Sequence, residues 1–220
     1  MSALKPIKVW GIHGPNSAKV VILCEELGLP YELDPIPLSD VKDPRYVAIN
    51  PNGRVPAIED PNTDIKLWES GAIIEYLTET YDKSLALSFT LGTPDSYHAR
   101  QWLFYQTTGQ GPYYGQSMWF IIYQPIQEAR DRYVKEVNRV TGVLEGHLAK
   151  QEPDVDGNAW FLGSRFSYVD IAFLTWQNTV GQRIPDAEFN QDNHPHVKKW
   201  MDNLLTRPSV QKVLKLQEVK

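Results

Sequence analysis

The spacing of hydrophobic and polar positions changes period repeatedly along the first third of the chain. Residues 7–12 (IKVWGI) alternate apolar and polar side chains, which predicts a half-buried strand. From Ser17 to Leu27 the apolar positions Val20, Val21, Leu23, Cys24 and Leu27 recur at helical spacing. Gly28 then supplies a left-handed stop and Pro30 blocks continuation. Residues 31–38 (YELDPIPL) read as a second strand, which two prolines push towards a sheet edge. A short helix is expected in DPRYVAIN, and NPNGRVP (50–56) is dense turn chemistry. PAIED and IKLWES are two short strands separated by PNTD, a hairpin pattern, and a helix starts at Ser70. The predicted order is β-α-β-(α)-β-β-α.

Beyond Tyr81 the strand signals stop. Residues 84–94 read as a linker, and everything downstream reads as helix. The glycines flanking Gln110 in GQGPYYGQ predict a bend or break. A stripe of Tyr133, Val137, Val140, Val143, Leu144 and Leu148 predicts one long amphipathic helix. Ser167 and Asp170 have capping-box spacing, with Phe166 and Ile171 placed as the hydrophobic staple. Two domains are therefore expected, α/β over residues 1–83 and all-α over 95–220.

Composition narrows the function classes. At 220 residues the chain suffices for one large core or two small ones, and 42% hydrophobic with 22% charged residues is ordinary globular usage. A net charge of -5 gives no electrostatic reason to expect nucleic acid. No apolar run approaches the roughly 20 residues that span a bilayer. The first strand follows the start almost at once, so no presequence is expected and the expected compartment is the cytoplasm. A single cysteine, Cys24, excludes an internal disulfide, a CxxC redox centre and a cysteine-based zinc site. Any thiol chemistry must use a thiol from elsewhere. No metal site is expected.

Three stretches of the first domain could carry chemistry. Val55-Pro56 is a candidate cis bond, which would turn the Val55 N–H and C=O outward to pair with an extended peptide; a trans proline opening a strand is the alternative. Glu69 and Ser70 stand at a helix start. Ser70 could simply cap that helix, or its hydroxyl and amide could take a carboxylate while Glu69 takes an ammonium. Asn16, beside Ser17, could cap the first helix or donate its amide to a bound thiolate. Cys24 falls on the buried stripe, and His194 and His196 lack metal-ligand company.

NPNGRVPAI followed by LWESGAIIEYL resembles the glutathione-binding half of cytosolic glutathione transferases, and SYVDIAF resembles the capping box of their helical domain. Order, spacing and domain division match over nearly the whole chain. GPNSAKV, GQGPYYGQ and RYVKEVNRVTGVLEGHLA are most similar to fungal members related to the yeast nitrogen-catabolite regulator, and to bacterial nu-class enzymes. The resemblance implies a thioredoxin-like N-terminal domain, an all-α C-terminal domain and a homodimer. It implies Asn16 as the catalytic group, Val55 as backbone partner of the cysteinyl unit before a cis-proline at Pro56, and Glu69 with Ser70 for the γ-glutamyl end. Val41 replaces a histidine that contacts the glycine end in the yeast regulator. Lys42 stands next to it as a replacement by charge, and Asn52 and Arg54 lie near the site by motif. Tyr113, Trp119 and Phe120 are expected in the apolar wall of a cleft for the second substrate.

The implied function is a glutathione S-transferase of detoxification type that joins the glutathione thiolate to a hydrophobic electrophile. Glutathione is then a co-substrate, and no tightly bound cofactor is expected. A glutathione-dependent disulfide reductase, or peroxidase, is the alternative. A non-enzymatic regulator ranks third, because the chain starts about six residues before its first strand and lacks the long Asn-rich extension of the yeast protein. The resemblance also extends to proteins of fungal pathways that make sulfur-containing metabolites, a role that no residue here identifies.

Overall fold

The computed structural model describes residues 3–218. The outermost ends of the two expected domains, residues 1–2 and 219–220, lie outside the described residues. The chain forms two compact units, one running to Ala86 and resuming at Arg207, the other spanning Leu87–Thr206.

The first unit is a four-stranded mixed sheet with helices. Strands β1 (Ile7–Trp10), β2 (Tyr31–Asp34), β3 (Ala57–Asp60) and β4 (Ile65–Trp68) lie in the order β2-β1-β3-β4. β1 pairs parallel to β2 and antiparallel to β3, and β3 and β4 form the expected hairpin. β2 stops at Asp34, before Pro35, and occupies an edge, where a residue without an N–H costs least. Helices α1 (Pro15–Glu26), α2 (Pro44–Val47) and α3 (Ser70–Tyr81) complete this part, and α9 (Pro208–Glu218) returns from the far end of the chain to pack on α1. Every residue of α1 from Ser17 to Cys24 is buried, so this helix is enclosed rather than amphipathic. Buried Asp60 ties α3 to the hairpin, accepting the hydroxyls of Tyr76 and Tyr81.

The second unit is helical: α4 (Pro94–Tyr105), α5 (Gly111–Ile122), α6 (Gln127–Leu148), α7 (Tyr168–Arg183) and α8 (Pro195–Leu205). Where a bend or break was expected around Gln110, the helix carries a π turn over Gln106–Gln110, in which Gly111 N–H bonds the Gln106 carbonyl. Pro112 has no N–H to return to Thr108, and the ladder absorbs that loss by widening one turn. The buried stripe of α6 also differs from expectation. Val134 and Thr141 belong to it, whereas Val143 is exposed. The capping box of α7 is present: Ser167 Oγ accepts from Val169 N, and Asp170 Oδ2 accepts from Ser167 N.

Candidate functional site

Strand register brings the candidate residues of the first unit to one end of the sheet. Trp10 pairs with Ala57, and Ala57 pairs with Trp68 across its other side. The chain therefore leaves β1 at Trp10, enters β3 after Val55-Pro56 and leaves β4 at Trp68 along a single row. The Gly11–Gly14 turn with the start of α1, the segment before β3, and Glu69 with the start of α3 all sit beyond that row.

The Val55-Pro56 bond is cis. The Val55 N–H and C=O have no hydrogen-bond partner among the described residues. Neighbours on two sides hold this segment. Gly11, with φ +84°, abuts it so closely that a Cβ there would stand 2.5 Å from Val55 Cγ1. On the other side Tyr46 Oη donates to the Arg54 carbonyl at 2.7 Å, as does Asn50 Nδ2. Asn50 Oδ1 accepts from Asn52 N, and Lys42 Nζ donates to the Asn52 carbonyl at 2.8 Å. Gly53 is needed here, because its φ is +58° and a Cβ would meet the Val41 carbonyl at 2.7 Å. Lys42 is thus engaged in shaping the turn, and its neighbour Val41 is buried in the core with Trp10 and Tyr46. The guanidinium of Arg54 is exposed and makes no hydrogen bond or ion pair among the described residues.

Both helix starts at this end lack a side-chain cap. The N-cap of α1 is Gly14, with φ +94°, and Pro15 takes the first helical position. Asn16 is therefore the second residue of the helix, half-buried, and the capping role considered for it belongs to a residue without a side chain. The N-cap of α3 is Glu69, so Ser70 is not the cap either. Glu69 holds φ +72°, a left-handed value costly for a residue with a Cβ, of the kind that collects at functional positions. Its carboxylate is exposed and takes no hydrogen bond or ion pair among the described residues. The Ser70 hydroxyl likewise has no partner there. The first N–H groups of a helix have no intrahelical acceptor, and the helix dipole adds positive potential, so this end attracts anions.

One residue here escaped the sequence reading. Lys19 is only 1% exposed, inside α1. Burial pushes its pKa down to about 7, and the negative charge of Glu69 resists that shift. The available signal was the setting of Lys19 in AKVVILC, where the run of apolar residues leaves a helix no polar face. An unfolded lysine stays protonated to a higher pH than this buried one, so the unfolded state binds more protons between pH 7 and 10. Stability contributed by this position therefore rises with pH across that window. The wild-type protein should gain on Lys19→Met from pH 7 to pH 10, with a slope no steeper than about 1.4 kcal/mol per pH unit. Urea denaturation of both proteins across the window measures it.

Other candidates fall elsewhere. Cys24 is fully buried, and burial pushes its thiol up to about 12, which makes it unreactive. His196 Nδ1 lies 2.6 Å from Glu145 and His194 stacks on Phe189, whereas exposed His13 sits in the Gly11–Gly14 turn of the site itself. In the helical unit, Tyr113 packs against the core and Phe120 stacks on Tyr133 with ring centroids 5.6 Å apart. Trp119 lies half-exposed on another face of α5, against Tyr123.

Comparison with known proteins matches residues 13–80 to the glutathione S-transferase N-terminal domain and residues 91–208 to the glutathione S-transferase C-terminal domain. A glutathione S-transferase-like protein of Aspergillus terreus, gedE, is 54% identical, covering 97% of this chain and 96% of its own. The crystal structure of the glutathione transferase URE2P6 from Phanerochaete chrysosporium, in complex with oxidised glutathione, superposes with TM-score 0.88 at 39% identity, over 97% of each chain. Ure2p5 from the same fungus, cocrystallised with 1-(S-glutathionyl)-2,4-dinitrobenzene, gives TM-score 0.86 at 33% identity, over 99% of this chain and 96% of its own. With its mixed sheet, its helical second unit and both halves matched, the chain belongs to the glutathione S-transferase superfamily, in the Ure2-like fungal branch.

Proposed function

We propose that the chain binds glutathione at the end of its sheet and joins the thiolate to a hydrophobic electrophile. The observation that carries this reading is the single row of Trp10, Ala57 and Trp68, beyond which two uncapped helix starts and the unpaired Val55 backbone lie together. An extended tripeptide fits there as an added strand. Val55 N–H and C=O pair the cysteinyl unit, Glu69 takes the γ-glutamyl ammonium, and the Ser70 hydroxyl and N–H take its carboxylate. Arg54 and Lys42 offer cations for the glycine carboxylate, with Asn52 shaping the turn between them. In the reaction the thiol proton passes to solvent, the sulfur forms a bond to the electrophilic carbon, and the leaving group departs with its electron pair. Tyr113 and Phe120 are assigned the apolar contacts of the electrophile; Trp119, on another face of α5, is not. The conjugate cocrystallised with Ure2p5 supports this class of product. A homodimer belongs to the same reading, and a monomer by light scattering at micromolar concentration would overturn that part.

The thiolate is assigned to Asn16 rather than Ser17. Asn16 is half-buried, so its carboxamide remains within reach of a ligand, whereas Ser17 is 0% exposed. The Ser17 hydroxyl is buried without a hydrogen-bond partner among the described residues. Removing the amide donor should raise the pKa of the bound thiol by roughly one to two units in Asn16→Ala, the worth of one charge-assisted hydrogen bond. Ser17→Ala should leave that pKa unchanged and be at least as stable as wild type, since it deletes an unsatisfied buried group. Thiolate absorbance of the glutathione complex, titrated across pH, reads both. A shift confined to Ser17→Ala would reverse the assignment.

The oxidised glutathione bound to URE2P6 favours a second reading, a glutathione-dependent disulfide reductase. There the bound thiolate attacks a mixed disulfide and expels one thiol. A second glutathione then attacks the glutathionyl sulfur of the resulting mixed disulfide and expels the other thiol, and the two glutathiones leave as oxidised glutathione. A paired assay on one preparation separates the two: conjugation of an aryl halide against reduction of a small mixed disulfide. Absence of the first activity alongside robust disulfide reduction would replace the transferase reading.

A further inference from the structure

Helix α9 runs antiparallel along α1 and is held at both ends. At the C-terminal end of α1, Arg207 Nε and Nη2 donate to the two carboxylate oxygens of Glu26 at 2.9 and 2.7 Å. The Ser209 hydroxyl donates to the same carboxylate, and Lys212 Nζ lies 2.6 Å from Glu25 Oε1. At the other end the carboxamide of Gln217 donates from Nε2 to the carbonyls of Ile12, at 3.0 Å, and Gly14, at 3.1 Å. Two acceptors on one NH₂ group fix which way the amide points. They lie on either side of His13, so one side chain clamps the turn that delivers the chain from β1 into α1.

That turn enters the helix without a side-chain cap. Gly14 has no side chain, sits at φ +94° and forms the N-cap of α1 without any side-chain cap. Asn16 follows two residues later. We propose that Gln217 is a positioning residue for the thiol end of the site, fixing from 200 residues away the turn that aims Asn16 and the first N–H groups of α1. Gln217 acts through the turn and is assigned no contact with the ligand. The inference rests on the thiolate reading given above. A hydrogen bond and a helix dipole acting on a thiolate both depend on the distance and direction that the turn sets.

The test compares wild type with Gln217→Leu, which keeps bulk and loses both donors, and with Gln217→Asn, one methylene too short to span both carbonyls. Lys212→Ala serves as a control that loosens α9 away from the turn. The pKa of the bound glutathione thiol should rise by roughly half a unit in both Gln217 variants, the scale of a displaced helix dipole, and stay put in Lys212→Ala. Affinity for S-hexylglutathione, which carries no ionisable thiol, should remain within twofold of wild type in all of them. A merely structural clamp would instead change melting temperature and S-hexylglutathione affinity without singling out the thiol. A lowered wild-type thiol pKa that both Gln217 variants retain would overturn the role of Gln217 alone. A wild-type value no lower than that of free glutathione would overturn the thiolate reading and this role together.

Discussion

Glutathione should bind Glu69→Ala and Ser70→Ala at least tenfold more weakly than wild type in calorimetric titration, with the fold of both variants intact. Each substitution removes a partner from a charged group of the ligand, and a hydrogen bond to a charged group is worth roughly 1.5–3 kcal/mol, or about 10- to 150-fold in affinity. The separation of binding from stability follows from the geometry. The Glu69 carboxylate and the Ser70 hydroxyl have no hydrogen-bond partners among the described residues, so deleting them breaks no hydrogen bond there. Alanine also leaves the φ of +72° at position 69 as costly as it was. Glu69→Gln refines the result, since it retains length and hydrogen bonding while losing the charge that an ammonium requires. Wild-type affinity in both alanine variants would remove the proposed γ-glutamyl site.

The second large effect is on stability. Asp170→Ala should lose at least roughly 3 kcal/mol in urea denaturation, because each buried donor left without an acceptor costs about 1–3 kcal/mol. Asp170 is fully buried and satisfies four donors. Its Oδ1 accepts from Phe161 N at 3.1 Å and Trp200 Nε1 at 2.9 Å; its Oδ2 accepts from Ser167 N at 2.9 Å and Ser167 Oγ at 3.0 Å. One carboxylate therefore closes the N-terminus of α7 and links it to α8 and to the segment before the cap. Asp170→Asn should fall between wild type and alanine, since its amide keeps one accepting oxygen and presents donors to donors. A loss below 1 kcal/mol in Asp170→Ala would show that these bonds are replaced by water or by relaxation.

The features legible in the sequence were those whose cause lies within a few residues. Ser167 and Asp170 announce their cap by spacing, and the PNTD turn places β3 beside β4; the second strand, expected over 31–38, stops at Asp34 because Pro35 has no N–H to give a ladder. Pro15 was an equally local signal: proline favours the first helical position, which places the cap at Gly14 and Asn16 inside the helix. The α6 stripe was right at Val137, Val140, Leu144 and Leu148 and wrong at Val143, which satisfies the apolar pattern while exposed to solvent; Thr141 is buried without being apolar. What could not be read locally depends on distant chain. Lys19 is enclosed because α3 and α9 both pack on α1, and Gln217 finds its acceptors some 200 residues upstream. Across the candidate site, the residue types were recognisable by motif. Their convergence came from strand register, which no single segment encodes.

The return of α9 has a consequence for biosynthesis. The α/β unit is discontinuous, and its final helix, with Val210 and Val213 buried, is translated only after the 120 residues from Leu87 to Thr206. At about 5–20 residues per second that interval is roughly 6–24 s. Throughout it, α1 waits on the ribosome with the face that α9 will cover still open to solvent. Completion of the first unit is thereby timed by synthesis of the second, and the α1 surface that receives α9 is the last part of that unit to be covered.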